Sequence, residues 1–305
     1  MEKFNLNYFV NEPLDKLIPQ SNKIRKKFIG GKMDLCSIVN AKSGLCTEDC
    51  KFCAQSSKYN TGIDSHQLLE NEKIIQSAIT AKKTGAERFG IVTSGRKLKP
   101  EEIDSIAKTI NEIKNKIGIS VCASLGSIEK HHLKLLKDAG LSRYHHNIET
   151  SPQYYKNIVS THTFEERLKT IENVKEIGIE VCSGGIMGMG ETWQDRIDMA
   201  LILQKMDIDS VPINLLVPIK GTPFQNLSPI SCYDAIRIIC MFRIILKDKS
   251  IKIAAGRETV LKDFQALAFM SGANGMLIGG YLTIKGRSIE EDHLLINEIK
   301  KLWNG

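Results

Sequence analysis

Short apolar runs alternate with longer amphipathic stretches along most of the chain. The short runs are Leu35–Val39, Arg88–Thr93, Ile119–Ala123, Arg143–Ile148, Glu180–Ser183, Val211–Val217, Ile251–Ala255 and Gly275–Ile278. Rich in β-branched residues, they predict buried parallel strands. The stretches between and after them carry apolar residues three and four apart, which predicts helices over Glu70–Thr84, Glu101–Ile117, Ile128–Ala139, Phe164–Ile177, Trp193–Met206, Tyr233–Leu246, Val260–Met270 and Ile289–Trp303. Gly85, Gly118, Gly140 and Gly178 stand just past four of these helices, where a C-terminus favours glycine.

Strict alternation of eight strands with eight helices implies a parallel sheet, and eight units predict closure into a (β/α)8 barrel of the TIM type. The alternative is a doubly wound open sheet, which usually stops at about five or six strands. An extra helix, about Leu14 to Phe28, precedes the first strand. With no linker in view, residues 1–305 are expected to form a single domain: a helical extension over 1–33, a barrel over 34–287 and a C-terminal helix over 288–305.

Composition changes this picture little. Hydrophobic residues at 42% and charged residues at 25% are those of an ordinary globular chain, which excludes disorder. The net charge of +7 is modest, and its densest run, Lys23 to Lys27, falls on the extra helix as a solvated face. No nucleic-acid partner is expected. No run of about 18 apolar residues exists, and the first residues lack the apolar core of a signal peptide. The expected location is therefore cytoplasmic, with no membrane partner. There, the eight cysteines are not expected to pair as disulfides, and those in motifs are expected to serve metal binding or catalysis.

Three of them sit on one loop after the first strand, NAKSGLCTEDCKFCAQSSKYNTG, as Cys46, Cys50 and Cys53 in C-x3-C-x2-C spacing. Three thiolates can hold three irons of a 4Fe–4S cubane and leave the fourth open to the amino and carboxylate groups of S-adenosylmethionine. A structural zinc site is the competing reading, but it usually takes about four ligands in paired Cys or Cys/His units. The loop offers no fourth, and His66 is the nearest candidate. The position is also apt, because barrel active sites open at the C-terminal ends of the strands. With Phe52 before its last cysteine, the motif resembles that of the radical S-adenosylmethionine superfamily. A glycine-rich segment after the fifth strand, CSGGIMGMGET, lets backbone approach a ligand closely. The resemblance implies that Phe52, Gly184, Gly185 and Ile186 help hold the adenosylmethionine.

Five segments resemble the biotin synthase family within that superfamily: the cysteine loop, HNIETS, CSGGIMGMGET, VPINLLVPIKGTP and AAGRE. The resemblance runs over about residues 34–287. It implies a homodimer that converts dethiobiotin to biotin, abstracting hydrogen from two carbons and inserting sulfur from an auxiliary iron–sulfur cluster deep in the barrel. Flavodoxin or a ferredoxin is the implied electron donor. By position, Asn147 and Glu149 match the pair that contacts the adenosylmethionine ribose, with Glu149 where the family often has Asp. Asn214 and His145 match substrate-side residues, with His145 where Asn is common, and Thr283 is matched to the substrate carboxylate.

The family binds its auxiliary 2Fe–2S cluster with three cysteines and an arginine. Cys122 and Cys182 match two of those cysteines, and Arg257 in AAGRE matches the arginine. The third position, after Arg88-Phe89, is Gly90 here. Cys36 is the candidate replacement. It lies on strand 1, with Cys122 on strand 3 and Cys182 on strand 5, and barrel interiors fill in layers drawn from alternate strands. Otherwise Cys36 is a small core residue. A changed ligand set would also admit a cluster larger than 2Fe–2S. Cys232 and Cys240 are expected to pack, and His131 and His132 to lie on a helix surface. Competing functions are another radical enzyme of this barrel type, such as a methylornithine synthase or a hydrogenase maturase, and a non-enzymatic iron–sulfur carrier or zinc-stabilised binding protein.

Overall fold

Parallel pairing runs from strand to strand until the sheet meets itself. The computed structural model describes residues 6–282 and 286–304. Two helices, α1 (Leu6–Asn11) and α2 (Leu14–Phe28), lead into β1 (Asp34–Lys42). Then come α3 (Asn71–Lys83), β2 (Arg88–Thr93), α4 (Pro100–Lys116), β3 (Ser120–Ser124), α5 (Lys130–Ala139) and β4 (Arg143–His145). A short α6 (Pro152–Tyr155) precedes α7 (Phe164–Ile177), β5 (Glu180–Cys182), β6 (Gly185–Met187) and α8 (Trp193–Lys205). The chain finishes with β7 (Ser210–Leu215), α9 (Cys232–Leu246), β8 (Ser250–Ile253), α10 (Arg257–Val260), α11 (Gln265–Met270), β9 (Gly275–Leu277) and α12 (Ile289–Asn304).

The order β5-β4-β3-β2-β1-β9-β8-β7-β6 closes through Cys182 opposite Ser210 and Gly185 opposite Ile213. Because β5 and β6 are two halves of one stave, broken at Ser183-Gly184, the ring has the eight staves of the predicted barrel. The open-sheet alternative falls.

Helix spacing explains the outer layer. On α4, Ile103, Ile106, Ile110 and Ile113 are all buried, the three-and-four rhythm of a helix laid on a sheet. By contrast α9 is buried from Ala235 to Leu246, because α2 and α8 pack against it from outside the barrel. That contact gives the N-terminal helix its place.

Two expectations were too simple. The predicted helix over Val260–Met270 is broken into α10, a 3-10 turn and α11, since Lys262 adopts a left-handed φ of 48° that no α-helix continues through. The glycine-rich turn after the fifth strand is partly strand, as β6. Among the described residues, no helix is long and apolar enough to cross a membrane.

Candidate active site

Six cysteines line one cavity of about 470 Å³ inside the barrel. Cys46, Cys50 and Cys53 stand at its mouth on the loop after β1. Cys36, Cys122 and Cys182 lie deeper, on β1, β3 and β5. About 20 Å of extended strand separates Cys36 from Lys42, where the loop begins. All eight cysteines are free thiols.

The mouth loop is irregular but firmly tied. Cys46 N–H donates to Gln55 O (3.1 Å) and Cys53 N–H to Cys50 O (3.0 Å). Between the cysteines, Glu48 accepts from Thr161 Oγ1 at 2.7 Å and meets His162 Nδ1 at 2.5 Å, while Asp49 accepts Ser160 N–H at 2.9 Å. Burial pushes the Cys53 thiol up to about 11 and the Cys50 thiol higher still, and the neighbouring Cys46 opposes the ionisation of both. Such thiols ionise when iron displaces their protons. Among the described residues, no three His, Cys, Asp or Glu side chains converge as ligands of one ion would. Cluster ligands need no common point, since each takes its own iron.

Between the two cysteine sets lie the polar candidates. Asn147 Nδ2 donates to Glu149 Oε2 at 3.3 Å, and its Oδ1 accepts Gly184 N–H at 3.0 Å. Glu149 holds a left-handed φ of 68°. Strain of this kind collects at functional sites and needs a supporting frame. Here Glu149 N–H donates to Gly184 O and its own carbonyl accepts Ile186 N–H at 3.0 Å. Burial raises the Glu149 carboxyl against the pull of Arg167, which lies 3.7 Å away. Asn214 gives one N–H to Gly185 O (3.1 Å) and accepts Ala255 N–H (3.2 Å), leaving a second N–H and a lone pair. His145 is hydrogen-bonded to Cys182; burial opposes that thiol's ionisation, but His145, Lys252 and Arg143 outweigh it and bring it down to about 7. Phe52 and Ile186 line the same cavity.

Three expectations change. Gly184 and Gly185 do not line the cavity; a Cβ on either would collide with the carbonyl oxygen of Pro212 or Glu149. Their role is to let strand meet strand. Arg257 is not at the cysteines either. Gly256, at φ 85°, turns the chain after β8 so that Arg257 starts α10 and is spent on Asp292, Glu258 and Tyr281. Thr283 lies outside the described residues.

In place of Arg257, the lower cysteines meet Lys252, one residue before the end of β8. Its Nζ is 2.7 Å from Cys36 Sγ and 3.0 Å from Asp34 Oδ2. Strand alternation sends Ile251 and Ile253 outward and Lys252 into the barrel. Asp34 also meets Arg143 at 3.2 Å and Arg88 at 3.8 Å. Asp34, Arg88 and Arg143 open β1, β2 and β4, and of the four only Lys252 lies within its strand, so no contiguous motif marked this floor. His146 was missed as well; it lines the cavity, and its Nε2 has no hydrogen-bond partner among the described residues. Cys240 packs in the core, Cys232 is part-buried near Lys262, and the His131–His132 pair lies on α5.

A parallel barrel with a three-cysteine loop at its mouth and a ligand cavity beneath defines the radical S-adenosylmethionine class. The superfamily model matches residues 42–203, and the Biotin and Thiamin Synthesis associated domain matches residues 212–300. Biotin synthase of Thermotoga petrophila is 54% identical over 94% of this chain and 95% of its own length. That of Thermotoga neapolitana is 56% identical over 89% and 97%, and that of Clostridium perfringens 48% over 95% and 90%. The chain belongs to the biotin synthase family. Among solved structures, methylornithine synthase has a TM-score of 0.82 at 18% identity, covering 97% of this chain and 91% of its own. A hydrogenase maturase from Carboxydothermus hydrogenoformans scores 0.82 at 20%, covering 97% and 75%. At those identities the likeness is one of fold. The cofactors the family implies are a 4Fe–4S cluster, S-adenosylmethionine and an auxiliary iron–sulfur cluster.

Proposed function

We propose that this chain converts dethiobiotin to biotin, with the two cysteine sets holding two clusters at the two ends of one cavity. The observation that supports this reading is a single cavity lined by both cysteine sets and by Asn147, Glu149, His145 and Asn214. Cys46, Cys50 and Cys53 would hold the cluster that supplies the electron for S-adenosylmethionine cleavage, and Cys36, Cys122 and Cys182 would hold the one that supplies sulfur.

The chain's own part is to bind, orient and exclude water. Asn147 and Glu149 offer an amide and a carboxylate to the ribose hydroxyls. Arg167, fixed by Tyr155 Oη (2.6 Å) and Asn147 O (2.9 Å), sets a guanidinium beside them. The free N–H and lone pair of Asn214 match the carbonyl and N–H of a ureido ring, and His145 faces the same space. Thr283 is assigned to the substrate carboxylate. The chain is further read as a cytoplasmic homodimer reduced by flavodoxin or a ferredoxin.

The test is an anaerobic reaction of reconstituted protein with S-adenosylmethionine, reductant and dethiobiotin, read by mass spectrometry. Biotin together with 5′-deoxyadenosine and methionine is the expected result. Deoxyadenosine without biotin, from protein holding both clusters, would overturn the substrate assignment.

A further inference from the structure

The lower cysteines sit on a positively charged floor, with Lys252 and Arg143 buried and Arg88 part-buried. Lys252, Arg143 and Arg88 all converge on Asp34, and Lys252 is only 3% exposed. Glu180 answers Arg143 at 2.9 Å and Arg88 at 3.2 Å, but from the rim, with its side chain 45% exposed. Three cations around one buried carboxylate leave an excess that only an anionic occupant satisfies. Three thiolates carrying an iron–sulfur cluster are such an occupant.

We propose that Lys252 serves that cluster as a fixed ammonium donor and not as an iron ligand beside Cys36, Cys122 and Cys182. This rests on the functional reading above. An ammonium has three N–H donors and no lone pair. Asp34, at 3.0 Å, fixes the charge on Lys252 and takes one N–H. Cys36 Sγ, at 2.7 Å, takes a second, and the third is left for a cluster sulfur. Neither position that the family resemblance pointed to supplies a fourth ligand: position 90 is glycine, and Arg257 is spent on Asp292. Hydrogen bonds and positive charge at the sulfurs favour the reduced cluster, so Lys252 raises its potential.

The test is anaerobic reconstitution with ferrous iron and sulfide of the wild type, Lys252→Arg, Lys252→Met and the double variant Lys252→Met/Asp34→Asn. The double variant keeps the floor's charge balance if the single one fails to fold. Iron content, Mössbauer spectra and a potentiometric EPR titration are read. The expected result is unchanged iron-site parameters in all variants. The lower-cluster potential should fall by at least about 59 mV, a tenfold change in the one-electron equilibrium, in Lys252→Met and not in Lys252→Arg, and by less in the double variant, where Asp34→Asn removes an opposing negative charge. An altered iron site in the Met variants, a lower cluster missing from the double variant, or an unchanged potential overturns the proposal. A wild-type protein that holds only one cluster overturns the functional reading instead, so the wild-type spectrum separates the two failures.

Discussion

Arg257 Nη2 lies 2.8 Å from both carboxylate oxygens of Asp292, and neither side chain is exposed. The pair fastens the first turn of α12 to the start of α10. Arg257 Nε also donates to the Tyr281 hydroxyl at 2.9 Å, and that hydroxyl donates to Glu258 at 2.8 Å. Tyr281 lines the cavity, so the knot reaches the site only through its wall. Arg257→Gln leaves a buried carboxylate without its partner and is expected to cost about 3–5 kcal/mol of stability. Urea denaturation measures that loss. Iron content and Mössbauer spectra of the folded variant should match the wild type, whereas an iron ligand would reverse the pattern.

The two cysteine sets should fail differently. Cys50→Ala is expected to abolish 5′-deoxyadenosine formation, because the mouth set then lacks a ligand. Cys182→Ala should retain it, with biotin lost, since only the lower set is broken. Single-turnover assays of both products with dethiobiotin present decide the matter. Equal loss of deoxyadenosine in the two variants would remove the division of labour between mouth and floor.

The sequence made the barrel and the mouth loop legible for different reasons. The barrel announces itself through repeated local periodicity, and Cys46, Cys50 and Cys53 through spacing within eight residues of chain. The floor does neither. Asp34, Arg88, Arg143 and Lys252 are scattered over four strands and meet only when the ring closes. A lone lysine between Ile251 and Ile253 carries no local sign that it faces inward. Arg257 misled because AAGRE is contiguous in sequence, while the positive φ of Gly256 parts it in space from the residues before it. The break between β5 and β6 was hidden likewise, since glycine serves a ligand turn and a close strand crossing equally well.

Cys36 replacing the cysteine absent at position 90 makes a reciprocal prediction. Cys36→Ala should remove the lower cluster's Mössbauer signals while the mouth cluster's remain. Gly90 sits opposite both Ile38 and Cys122 in the sheet. Its φ is not left-handed, and an added Cβ would meet only the Ile38 Cγ2 methyl, at 3.0 Å. Cys36→Ala/Gly90→Cys is therefore expected to fold and to regain part of the lower-cluster signal. Full retention in Cys36→Ala alone would make Cys36 a core residue.

Gly184 and Gly185 carry the crossing that shapes the middle of the cavity. An alanine methyl at either position would press on backbone carbonyl oxygen, which cannot move aside as a side-chain tip can. Gly185→Ala is expected to cost about 3 kcal/mol or more by urea denaturation, near the top of the range for overpacking. It should also weaken S-adenosylmethionine binding, because the displaced strand carries the Glu149–Ile186 backbone pairing. Calorimetric binding to the reconstituted protein reads that second effect.

Asp34 ties the floor to pH. Burial works against its charge, but Lys252, Arg143 and Arg88 overcome it and hold the carboxyl well below the usual carboxylate range. A carboxyl depressed in the folded state contributes stability that is present above its unfolded pKa, near about 4, and is lost as pH falls toward the folded value. In cluster-free protein at neutral pH, Asp34→Asn leaves the buried Lys252 and Arg143 and the part-buried Arg88 without their shared counter-charge and is expected to cost about 3 kcal/mol. The gap between variant and wild type should narrow as pH drops below about 4, because the unfolded wild type then takes up a proton that the folded state still refuses. Urea titrations across that range measure it. A gap that stays constant into acid would mean that Asp34 holds the floor through hydrogen bonds that asparagine supplies as well, and that its charge contributes nothing.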